Sequence, residues 1–103
     1  LEIHGHIAML EDMLKHNAIP QSASNTAVFF DCHSWKSSQS YLALLSIQDL
    51  TLIGAYYQSA MTLNTIIPGY AGQPLNPHNK FSVAATLEMG RRVHAILESH
   101  WKG

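Results

Sequence analysis

The sequence predicts an all-α domain, a small helical bundle of about four helices. Two observations carry that expectation. Apolar residues recur at spacings of three and four in several long stretches, the mark of one helix face. Helix start and stop residues bracket those stretches, and no pair of alternating segments offers a sheet. The chain is 103 residues, of which 47% are apolar and 13% charged. That length suits one domain, spanning 1–103, with a single core. The apolar fraction excludes intrinsic disorder, which needs low hydrophobicity and high charge.

Ile3, Ile7, Leu10 and Leu14 define the first helix, over 1–17, widened by Ala8, Met9 and Met13. Gly5 weakens it, and Asn17 and Pro20 supply the stop. Residues 18–25 read as a loop. A second helix is expected from about 25 to 37, where Val28, Phe29, Cys32 and Trp35 keep helical spacing; a strand at 26–31 is the alternative, though no partner strand pattern exists elsewhere. Serines dilute the stretch that follows, and helix resumes at 41–45. Trp35 is expected to be buried against helix 1–17.

Ser46 followed by Asp49 is an N-cap signature, with the acid favoured by the positive end of the helix dipole. The helix it opens runs to Ile67 and stops before Pro68-Gly69. Residues 70–76 are expected to form a mobile loop. Asn76-Pro77 then caps a final helix, proline being tolerated at the first helical position. Its stripe is Phe81, Val83, Ala84, Leu87, Gly90, Val93, His94, Leu97 and Trp101. Lys102 suits its negative end, and Gly103 would suit a C-cap.

Net charge is −1, from six basic and seven acidic residues. The basic residues are scattered, with only Arg91 and Arg92 adjacent, so no stripe exists to release counterions from nucleic acid. Cys32 is the single cysteine, which excludes an internal disulfide and a cysteine zinc cluster. It suits a reducing compartment, so a cytoplasmic location is expected. The chain opens on Leu1, already in helical pattern, and upstream sequence is expected to precede it. No signal peptide is visible within the sequence itself.

Seven histidines are many for this length. Ligands on one helix need spacing of three or four to share a face. Glu2 with His6, Asp12 with His16, and His94 with Glu98 satisfy that; His4 and His6 do not. The paired Glu-x-x-His set of a di-metal bundle is absent. Solvated polar pairs on helix faces are therefore the reading preferred over a metal site. Cys32 and His33, as neighbours on a helix, would diverge by about 100°, the wrong geometry for a catalytic dyad. No nucleophile elbow or phosphate loop occurs. No catalytic, cofactor-binding or metal-ligating residue is assigned, and the chain is expected not to be an enzyme.

No Asp, Glu, Lys or Arg occurs between Asp49 and Lys80. Thr51, Gln58, Ser59, Thr62, Asn64 and Thr65 argue against a membrane span over 50–67, and a central bundle helix is preferred. If Leu50, Ile53, Tyr57, Met61 and Ile67 face the core, then Leu52, Tyr56, Leu63 and Ile66 point elsewhere. A charge-free outer face of this kind predicts a homodimer that pairs through 50–67.

Several features occur in a fixed order: Leu1-Glu2-Ile3 opening an amphipathic helix, a loop, an aromatic stretch ending in Trp35, Leu44-Leu45-Ser46-x-x-Asp49-Leu50, and Tyr57 followed by Leu63-Asn64. This order resembles a group of uncharacterised small bacterial proteins, in which an N-terminal transmembrane helix leads directly into a helical domain. It covers residues 1–67, about two thirds of the chain. The resemblance implies a membrane-anchored domain rather than an activity. The function expected is a non-catalytic interaction or scaffold module. The alternative is a small-ligand or metal-binding bundle acting as sensor or regulator.

Overall fold

A computed structural model describes residues 2–20 and 45–101. Among them are three α-helices, α1 (Glu2–His16), α2 (Ile47–Ile66) and α3 (Pro77–Trp101), with one 3-10 turn at Ile67–Tyr70. The all-α expectation holds for these residues, with three helices where about four were expected. The helix expected over 25–37, all but the last residue of its resumption at 41–45, and the assignments to Cys32, His33 and Trp35 lie outside the described residues. So do the caps expected of Lys102 and Gly103. Leu45 itself is a bend, not helix.

Helix α1 ends in a Schellman motif built on asparagine. Asn17 takes a positive φ of 52°. Its amide donates to the carbonyl of Leu14 at 3.3 Å, and that of Ala18 to Met13 at 3.2 Å. These two bonds satisfy carbonyls that the helix end would leave open. Asparagine tolerates the left-handed region better than other residues with a Cβ, glycine apart, which is why it can replace glycine here.

Helix α2 begins as its sequence dictates. Ser46 is extended, with φ −65° and ψ 159°, and its hydroxyl accepts from the Asp49 amide at 3.1 Å. The α-helix ends at Ile66, before Pro68 as expected, and a 3-10 turn at Ile67–Tyr70 follows directly, with Pro68 in its first positions. Proline has no N–H to lose and its fixed φ suits a helical start. Helix α3 opens on Asn76, whose Oδ1 accepts from the Asn79 amide at 2.7 Å, with Pro77 as first residue.

The connection 70–76 is tied down rather than loose. Residues 70–73 form a type II turn: Ala71 has φ −54° and ψ 131°, Gly72 has φ 78°, and Gln73 N–H donates to the Tyr70 carbonyl at 3.0 Å. The extended residues after α1 then pair with it. Ile19 N–H donates to Gln73 at 2.9 Å, Gly72 N–H to Ile19 at 2.8 Å, and Leu75 N–H to Asn17 at 3.0 Å. Ile19 and Leu75 are buried there.

Helix α3, not α2, holds the other two together, packing along both α1 and α2. On one flank His4 faces His94, Ile7 approaches Gly90, and Glu11 pairs with Arg91. On the other, Tyr56 lies at Gly90 and Ser59 bonds Thr86. Residue numbers rise along α1 and α2 as they fall along α3. Both therefore run antiparallel to α3 and parallel to each other.

The buried face of α1 is turned by about one position from the expected stripe. Ile3, His6, Leu10 and Met13 are buried, while Ile7 and Leu14 are half-covered. The reason is His6, whose side chain points inward to a polar partner. On α3, Phe81 leaves the expected apolar stripe and is 74% exposed.

Candidate functional site

Two arrangements stand out from the packed core: a buried polar crossing of the three helices, and the outer face of α2. The crossing centres on Gly90. A Cβ added there would meet Cε1 of Tyr56 at 3.0 Å and Cγ1 of Ile7 at 3.5 Å. A mid-helix glycine costs about 1 kcal/mol relative to alanine, and close approach of a neighbour is its usual physical reason. The Tyr56 ring occupies that gap and reaches α1, where its hydroxyl bonds Nδ1 of His6 at 2.6 Å. Tyr57 stands edge-on to Tyr56, their ring centres 5.1 Å apart, and edge-on to His6 at 6.4 Å.

Below this crossing a second polar contact joins α2 to α3. Thr86 is fully buried and its hydroxyl donates to the Ser82 carbonyl at 2.8 Å. With its single proton so used, Thr86 Oγ1 accepts from the Ser59 hydroxyl, 2.5 Å away.

These contacts revise the division of α2. Tyr56 and Leu63 were expected to point away from the core; both are buried, Tyr56 completely. Leu52 and Ile66 are half-buried. The signal for Tyr56 lay in Gly90, thirty-four residues further on, and no periodicity within α2 reveals it.

The exposed residues of α2 are Gln48 and a ridge of Ile47, Thr51, Ala55, Gln58, Thr62 and Thr65, the ridge at spacings of three and four. Ile47 is 82% exposed. Three hydroxyls on this face turn back onto the helix: Thr51 donates to the Ile47 carbonyl at 2.8 Å, Thr62 to Gln58 at 2.9 Å, and Thr65 to Thr62 at 2.7 Å. A threonine held this way spends its donor on the backbone of its own helix, which leaves less hydrogen-bonding capacity to the face. The face is thus charge-free, small in side chains and more apolar than its composition suggests.

The histidine pairs separate. His6 is buried, and its Nδ1 bonds the Tyr56 hydroxyl. His16 lies 3.3 Å from Asp12 on the surface, and His94 lies 3.5 Å from Glu98. His4 is exposed while His6 is buried, as their spacing of two requires. Arg91 is engaged with Glu11 at 2.7 Å. Among the described residues no group of three or more His, Cys, Asp or Glu is placed to hold a metal, and no helix is long and apolar enough to cross a membrane. Comparison with protein-family models, with curated proteins and with solved structures finds no match to this chain.

Proposed function

We propose that this chain is a non-catalytic helical interaction module that pairs with a second copy of itself through the outer face of α2. The observation that carries the reading is the ridge Ile47, Thr51, Ala55, Gln58, Thr62 and Thr65, with its three threonine hydroxyls returned to the backbone. A solvated helix face normally carries charges. Here the face offers methyls, and small side chains let two backbones approach closely, as they do where helices pair without charges.

A second copy suits this face better than a partner of opposite character. In a two-fold contact each residue meets the same patch of the other chain, so any charge would face its like. A face without charges avoids that repulsion and offers nothing to a charged partner. Gln58, near the middle, can donate and accept at once and so can bond its own symmetry mate. A membrane-anchored setting, with the anchor ahead of Leu1, belongs to the same proposal and rests on the resemblance alone.

The test is solution mass by light scattering. The parent should give twice 11.4 kDa. Thr51→Glu with Thr62→Glu should give the single-chain mass, with helicity by circular dichroism unchanged. A parent that stays at single-chain mass at high concentration would overturn the reading.

A further inference from the structure

His4 and His94 come from helices at opposite ends of the sequence, yet their rings stand side by side, centres 5.7 Å apart and planes tilted by 46°. His4 is exposed and the His94 side chain is 24% exposed, so both rings are open to solvent from one side. Two neutral imidazoles in water gain little from such a meeting, and two protonated ones repel. A metal ion changes the balance, because each ring can present a lone pair to it.

We infer that His4 and His94 form a two-imidazole site for a divalent late transition-metal ion, with Glu98 supporting His94 and water completing the coordination. The geometry suits zinc. Tetrahedral zinc with Zn–N bonds of about 2.0–2.1 Å sets the centres of two ligating rings roughly 5 Å apart. The observed separation of 5.7 Å is close to that value. Imidazole is a good ligand for zinc, copper and nickel alike, so the class is set by the donors and not by one element.

Glu98 adds an independent feature. Its Oε1 lies 3.5 Å from Nε2 of His94, one helical turn away. A carboxylate beside one ring nitrogen fixes the ring orientation and leaves Nδ1 as the ligating atom, the usual support of a metal-bound histidine. With only two protein nitrogens the site is open, and the ion exchanges readily. Binding ties the first turn of α1 to the C-terminal half of α3.

The experiment is calorimetric titration of the chain with zinc chloride, followed by thermal melts with and without the ion. One ion per chain is expected, reversed by EDTA. At about five times Kd the ion should raise Tm by roughly 4–8 °C. His4→Ala and His94→Ala should each remove the saturable binding, while Glu98→Gln should weaken it by about tenfold. His16→Ala, which alters the exposed pair with Asp12, should leave it unchanged. Since His4 is exposed, His4→Ala keeps the fold, and dichroism checks that. The inference is overturned if the parent shows no saturable heat in excess zinc, if His4→Ala binds as the parent does, or if one ion is bound per two chains.

Discussion

The Cβ that Gly90 lacks would stand 3.0 Å from the Tyr56 ring, and that ring is held from its other end by His6. A flexible neighbour would swing aside for a methyl. Tyr56 cannot do so without giving up a buried 2.6 Å hydrogen bond. Gly90→Ala therefore loses more in packing than it gains in helix propensity. A net destabilisation of about 1–2 kcal/mol is expected, since overpacking of a core commonly costs about 1–3. Gly54→Ala is the control. It sits in α2 with nothing within 4 Å of the added methyl. It should stabilise by up to about 1 kcal/mol through propensity alone. Thermal melts of both variants, moving in opposite directions, check the argument; a stabilised Gly90→Ala sinks it.

Tyr56→Phe keeps the ring over Gly90 and removes only the hydroxyl. The His6 Nδ1 then loses that partner inside the core. The cost should be about 1–3 kcal/mol, the desolvation of a buried polar atom. Because the contact joins α1 to α2, amide exchange in α1 should rise more than in α2. Chemical denaturation with exchange read residue by residue measures both.

Two caps should be separable by helix. Ser46→Ala and Asn76→Ala each remove an oxygen that accepts an amide in the first turn of α2 and α3 respectively. About 1 kcal/mol each is expected, and near additivity, because they lie at opposite ends of the molecule. Arg91→Ala, which breaks an exposed ion pair with Glu11, should cost less than either, within about 1 kcal/mol.

The 70–76 connection should behave as ordered chain. The amides of Ile19, Gly72 and Leu75 are bonded across it, so their exchange should be slowed relative to exposed turn amides. Gly72→Ala, at φ 78°, should cost about 1–2 kcal/mol because a Cβ strains that conformation. Free exchange at all three amides would contradict the pairing.

The caps at Ser46 and Asn76 and the stop at Asn17 were legible in the sequence because each acts within four residues of itself. Helix existence was legible for the same reason. The identity of the central helix was not. Absence of charge over 50–79 suggested that α2 is surrounded, but three threonine hydroxyls satisfied by their own backbone give an exposed face a neutral composition as well. The inward turn of His6 and Tyr56 depends on a glycine on a third helix, and single-helix periodicity holds no trace of it. The outer ridge of α2 was legible as a charge-free segment, yet which residues compose it had to wait for Tyr56 and Leu63 to be placed inside. His4 beside His94 joins positions ninety residues apart, a relation no spacing rule reaches.

The parallel course of α1 and α2 has a kinetic consequence. Helices α2 and α3 are joined by a short tight turn, and the Ser59–Thr86 contact closes only 27 positions. Helix α1 meets α3 through Glu11 and Arg91, 80 positions apart. Closing the longer loop costs about 1 kcal/mol more chain entropy by the logarithmic rule. Among the described helices, the α2–α3 hairpin is therefore the natural nucleus, and α1 is the last to dock and the first to leave. Changes at the α1 contacts should then appear mainly as faster unfolding, and changes at Ser59 and Thr86 as slower folding. Of the three described helices, residues 2–16 would be the last to find their place.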